Sequence, residues 1–115
     1  LTVSREPDER DAIARLRAMC GGPRDGALLR VSLANALFAQ NEPSGAIEEL
    51  HHALKFDPDY SAAWKLLGKT LTERGDSVGA IAAYRSGIAA ALKRGDKQAE
   101  KEMTVFLRRL APSDG

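Results

Sequence analysis

A chain of 115 residues with 43% hydrophobic side chains suits one small soluble domain able to bury a modest core. Its 17 basic and 16 acidic side chains leave a net charge of +1, which argues against bulk electrostatic binding to nucleic acid or to an anionic membrane, so any charged site must be local. The single cysteine, Cys20, excludes an internal disulfide and fits a reducing compartment. No apolar run approaches the roughly 20 residues of a membrane span, and the first ten residues, with Arg5, Glu6, Asp8, Glu9 and Arg10, do not read as a signal-peptide core. The expectation is a cytoplasmic monomer without membrane insertion. Because the chain begins with Leu1 and not Met, a fragment of a longer protein is equally compatible.

Leu1 to Glu6 has no periodicity and is expected to be loose. A helix is predicted from near Pro7-Asp8, where proline suits the first turn and Asp8 and Glu9 suit the positive helix end. Its apolar stripe is Ala12, Ile13, Leu16, Met19 and Cys20. Gly21-Gly22-Pro23-Arg24-Asp25-Gly26 then breaks the helix. That run lacks the Gly-Lys-Ser/Thr ending and the preceding strand of a phosphate cradle, so it reads as a flexible connector.

Four helices are predicted next, at about residues 27–40, 44–56, 61–74 and 77–93, with Ser44, Ser61 and Ser77 as N-caps of the last three. Asn41 and Gly75 follow the first helix of each pair and suit the left-handed conformation that ends a helix. Asp57-Pro58 blocks continuation of the first pair. Asp96 caps a last helix that runs to about Leu110 and carries Ala99, Met103, Phe106 and Leu110 on one face.

The helices repeat. Trp64, Leu67, Gly68 and Leu71 form one stripe, and Ala80, Tyr84 and Gly87 form the facing one. Gly68 costs about 1 kcal/mol in a helix interior, which a close approach of the partner helix would offset, with Tyr84 filling the space beside it. At a period of 34 residues the same order of large and small residues appears as Arg30, Leu33, Ala34 and Leu37, then Ala46, Leu50 and Ala53. Gly45-Ala46-Ile47 recurs as Gly79-Ala80-Ile81. Ala12, Leu16 and Met19 fall in register with Ala46, Leu50 and Ala53, so the first helix reads as half of an earlier repeat. The last helix fits a step of about 35, which places Ala99, Met103 and Phe106 in the core.

Between about Ala27 and Leu110 this pattern resembles the tetratricopeptide repeat (TPR). The resemblance implies an all-α fold: a right-handed superhelical array of antiparallel helix pairs, a TPR-like α-α solenoid of about six helices. Residues 1–26 would form a loose start, a capping half repeat and the Gly-rich connector. Residues 27–60 and 61–94 would be two repeats, 95–110 a C-terminal capping helix, and 111–115 a tail. The implied function is a protein–protein interaction or scaffold module that binds a peptide segment in its concave groove. The alternative is a regulatory or assembly segment of a larger enzyme or secretion machine. RNA binding ranks third, disfavoured by near-neutral charge and few aromatic residues.

Helical arithmetic places Leu28, Val31, Asn35 and Phe38 on the groove side of the first repeat, and Ala62, Lys65, Lys69 and Thr72 on that of the second. The last helix would add Lys97, Glu100, Thr104 and Leu107. One end is then apolar and the middle basic, which suits an extended peptide with an apolar residue near an acidic side chain or a free C-terminal carboxylate. Some members of the family grip the C-terminal carboxylate of heat-shock chaperones with paired lysines and asparagines. Asn35 matches one such asparagine, and Lys97 and Lys101 fall near the third-repeat basic pair. Val31 and Leu66 depart from that pattern, where a lysine and an asparagine would stand.

Chemistry is not expected. No recognisable set of nucleophile, base and charge stabiliser is present, so the chain reads as neither an enzyme nor a holder of cofactor or metal. His51 and His52 point about 100° apart on their helix and cannot share one metal. Glu48 and His52 have workable spacing but read as solvated side chains. Cys20 follows a helix end, where the dipole does not activate a thiolate.

Overall fold

The computed structural model describes residues 9–111. The expected loose start, the helix start at Pro7-Asp8 and all but the first residue of the tail lie outside them. Among the described residues there are six α-helices and no strand: α1 (Glu9–Met19), α2 (Ala27–Ala39), α3 (Pro43–Phe56), α4 (Ser61–Glu73), α5 (Ser77–Arg94) and α6 (Lys97–Leu110). Short turns fold α2 onto α3, α4 onto α5 and α5 onto α6. Each pair stacks on the next through α3 and α4, while α1 packs on α2. The odd-numbered helices α3 and α5 lie behind, while in front α4 adjoins α2 on one side and α6 on the other.

One device makes the hairpins. Asn41, Gly75 and Gly95 have positive φ angles of 58°, 82° and 72°. In each case the next residue's amide reaches back to the helix it has just left. Glu42 N–H donates to Leu37 O at 2.9 Å, Asp76 to Leu71 O at 2.9 Å, and Asp96 to Ala91 O at 2.8 Å. These are the long-range bonds of the glycine-type helix ending, here in three copies. Asn41 and Gly75 behave as the sequence predicts.

The predicted serine caps are corrected. Helix α3 starts one residue earlier, at Pro43, whose fixed φ already suits the first helical position. Ser61 and Ser77 are first residues of their helices, not caps. For α5 the carboxylate of Asp76 takes the capping role, accepting from Gly79 N–H at 2.9 Å. Asp96 does the same for α6 through Ala99 N–H at 3.1 Å, as expected. The Ser61 hydroxyl is engaged elsewhere, donating to Asp96 Oδ2 at 3.0 Å.

Two clusters form the core. Leu33, Ala34, Leu37, Ala46, Leu50, Ala53, Ala63 and Leu67 fill the space between the two helix pairs. Ala80, Tyr84, Ala91, Ala99 and Met103 fill that between α5 and α6. Glycines allow the closest crossings. A Cβ on Gly68 would lie 2.6 Å from Tyr84 Cζ, and one on Gly87 would lie 2.7 Å from Trp64 Cβ and against Met103. Burial of Ala99 and Met103, with Gln98 and Lys101 exposed, is the packing that the longer repeat step predicts. Phe106 packs against the same cluster, at its edge. It is only partly buried, its ring 5.6 Å from that of Tyr84.

Arg30 stands where the second repeat has Trp64 and does different work. Its guanidinium makes a fork with Asp25 through two bonds of 2.9 Å and a third bond of 2.8 Å to Glu49. Asp25 also accepts from the amides of Gly21 and Gly26, at 2.7 and 2.8 Å. The connector expected to be flexible is therefore tied near its end, through Asp25, to Arg30 of α2, which in turn reaches Glu49 of α3. Trp64 instead donates its indole N–H to Pro58 O at 2.7 Å, anchoring the start of α4.

Candidate functional site

Where α2, α4 and α6 adjoin, their side chains surround a cavity of about 450 Å³. Val31 and Asn35 come from α2, Ala62, Lys65, Leu66 and Lys69 from α4, and Glu102 and Phe106 from α6. The floor is apolar because Val31 and Leu66 are core residues showing one edge, 6% and 8% exposed. A second hollow of about 280 Å³ adjoins it, lined by Lys69, Thr72, Glu73, Tyr84, Phe106, Arg109 and Leu110. Lys69 and Phe106 belong to both.

Of the groove residues read from sequence, Val31, Asn35, Lys65 and Lys69 converge on the larger cavity, with Ala62. Thr72 lines the smaller one, but its hydroxyl already donates to Gly68 O at 2.8 Å. Phe38 lies in a third, smaller hollow with Asn41, Pro43, Glu73 and Arg74. Its ring faces Lys69 Nζ at 5.4 Å, a cation–π distance that joins the hollow to the rest of the groove. Leu28 is 69% exposed on the first turn of α2 and lines none of these three. Lys97 lines a neighbouring hollow with Gln98, Lys101 and Glu102.

The expected basic middle is altered by Glu102. Its carboxylate accepts from Lys65 Nζ at 2.7 Å and from the Gln98 amide at 3.4 Å. The Lys65 bond and then the Gln98 bond hold the Glu102 carboxyl below its ordinary range. Lys69 has no carboxylate within ion-pair distance among the described residues, and neither has Arg109, whose guanidinium lies 5.9 Å from the Phe106 ring centre. Burial raises the Tyr84 phenol, partly offset by its bond with Thr72, so it remains neutral and serves as an amphipathic floor.

Sequence reasoning missed Leu66, Glu102, Phe106, Tyr84 and Arg109 as groove residues. On α6 it favoured Glu100, Thr104 and Leu107. The Thr104 hydroxyl instead donates to Glu100 O at 2.7 Å, and Leu107 packs on the second core cluster. The repeat step located the buried stripe of α6 correctly but not which flank of that stripe turns toward α4.

Among the described residues no group of three or more His, Cys, Asp or Glu side chains could hold a metal ion. Cys20 donates to Leu16 O at 3.6 Å, and burial raises its thiol pKa, the opposite of what activates a thiolate. No helix among the described residues is long and apolar enough to cross a membrane.

A family model for the tetratricopeptide repeat matches residues 27–70. A TPR repeat-containing protein of Pseudomonas aeruginosa is 47% identical over 98 residues, covering 85% of this chain and 93% of its own. A Bordetella parapertussis protein of known solution structure is 49% identical, with a TM-score of 0.74 and 86% of each chain covered. The Sgt2 TPR domain from Aspergillus fumigatus is 28% identical, with a TM-score of 0.64 over 93% of this chain and 76% of that one.

Proposed function

Since the chain belongs to the tetratricopeptide repeat family, we propose that it is a protein-interaction module that holds a peptide segment of a partner in the groove between α2, α4 and α6. Family membership supports protein binding in general and a non-catalytic role. The observation that carries the peptide reading is the lining of the groove. An apolar floor of Val31 and Leu66, flanked by the exposed Ala62, adjoins Lys69 and Arg109, two cations without a carboxylate partner among the described residues. Such a surface offers apolar burial for one side chain and charge-assisted contacts for an acidic group beside it. Asn35, exposed at the rim, can add hydrogen bonds to a peptide backbone.

The test is selection of peptides on the purified chain from a random display library, followed by affinity measurement on two variants. Lys69→Glu should weaken acidic binders by about tenfold, and Ala62→Arg should block the floor, both with helicity unchanged. Selected peptides that bind both variants as tightly as the parent would place recognition elsewhere.

A further inference from the structure

The groove consists of two sockets, and their spacing restricts what can fill them. The larger is floored by Val31 and Leu66 and the smaller by Tyr84 and Leu110, with Lys69 and Phe106 forming the ridge between. On α4 the larger socket is lined from Ala62 to Lys69 and the smaller from Lys69 to Glu73. Their centres are thus displaced by about six residues, or roughly 9 Å at the helical rise. On α6 the lining shifts from Glu102 and Phe106 to Phe106, Arg109 and Leu110, a displacement of about four residues or roughly 6 Å. These values bracket the roughly 7 Å between side chains i and i+2 on one face of an extended chain.

The rim favours an extended ligand over a helical one. The side-chain amide of Asn35 makes no hydrogen bond within the protein among the described residues and presents both donor and acceptor at the larger socket. An extended backbone has free N–H and C=O groups to meet it, whereas a helix has satisfied its own. Charge adds a direction. Lys65 is matched by Glu102, while Lys69 and Arg109 at the smaller socket face only Glu73, which leaves one positive charge in excess there.

The geometry points to a partner segment in extended conformation that seats large apolar side chains two residues apart in the two sockets, with an acidic residue just beyond the one in the smaller socket. This rests on the groove being the peptide site and specifies what it reads.

The test uses synthetic peptides acetylated and amidated at their ends, so that no terminal charge contributes. The parent probe is Glu-Glu-Leu-Ser-Leu-Glu-Glu. Companions have the leucines three or four residues apart, or one leucine replaced by serine. Affinity and amide chemical shifts of the isotopically labelled chain are followed together. The parent should bind about tenfold more tightly than every companion and shift amides at both sockets, around Leu66 and around Thr72 and Leu110. Lys69→Gln combined with Arg109→Gln should weaken it by about fivefold and flatten its salt dependence. Equal affinity for all spacings, or tighter binding at the four-residue spacing of a helix, would overturn the inference while leaving the groove as the site. Peptides that shift none of these amides would overturn it as well, and display-selected peptides binding away from the groove would then remove the groove reading too.

Discussion

Replacing Gly68 by alanine sets two effects of opposite sign against each other. Alanine in a helix interior is favoured over glycine by about 1 kcal/mol. Against that, the new methyl would lie 2.6 Å from Tyr84 Cζ, so the ring must retreat by about 0.8 Å to reach ordinary contact. It has little room to do so, being 3% exposed and backed by Phe106. Overpacking of this kind costs about 1–3 kcal/mol, and a blocked ring belongs at the upper end. The expected net loss is about 2 kcal/mol, seen as a fall in Tm of about 5–10 °C. Urea unfolding followed by far-ultraviolet circular dichroism measures it. In a Tyr84→Leu background the clash is gone, and Gly68→Ala should stabilise by about 1 kcal/mol. A coupling of about 3 kcal/mol between the sites follows. Gly68→Ala that is neutral or stabilising in the parent, or equally costly in both backgrounds, would refute the close-approach argument.

Three further outcomes are expected. Removing residues 95–115 uncovers Tyr84, Ala91 and the Gly87 crossing filled by Met103, so we propose that α6 acts as a cap, and thermal unfolding of the truncated chain should begin well below that of the parent. Asp25 is held well below the usual carboxylate range, first by the Arg30 fork and then by the Gly21 amide. A depressed carboxyl contributes stability above its unfolded value of about 4 and loses it as the pH falls, so Tm should decline below about pH 4 and do so less steeply in Asp25→Asn. Arg30→Met keeps the stem but abandons two half-buried carboxylates, and should cost about 2 kcal/mol by denaturant unfolding at neutral pH, with most of that cost absent at about pH 2.

The fold was legible because it is written in contacts that recur. Large and small residues alternate at one period, Gly68 anticipates Tyr84, and Asn41 and Gly75 anticipate the hairpin turns through backbone conformation alone. Where two cap-formers are adjacent, as at Asp76-Ser77, local preference cannot rank them, and the carboxylate won at α5. Polar pairing was the least legible. Arg30 matched a stripe position, but its partners Asp25 and Glu49 meet it only once α2 and α3 have docked. Glu102 is 37 residues from Lys65, and its arrival depends on the rotation of α6 about its axis. A stripe-based reading finds the buried face and leaves its two flanks equivalent. That is why Arg109 went unnoticed in the groove, whereas Phe106, read as part of the stripe, also shows an edge to it.

The central claim is that α2, α4 and α6 together form the surface that meets a partner. It is tested most directly by mapping amide shifts across the labelled chain as a display-selected peptide is added. Saturable changes are expected at Asn35, Leu66, Lys69, Thr72 and Arg109, with the exposed His51 and Lys55 of α3 and Arg85 of α5 unmoved. Changes concentrated on α3 and α5, with the groove residues silent, would contradict it.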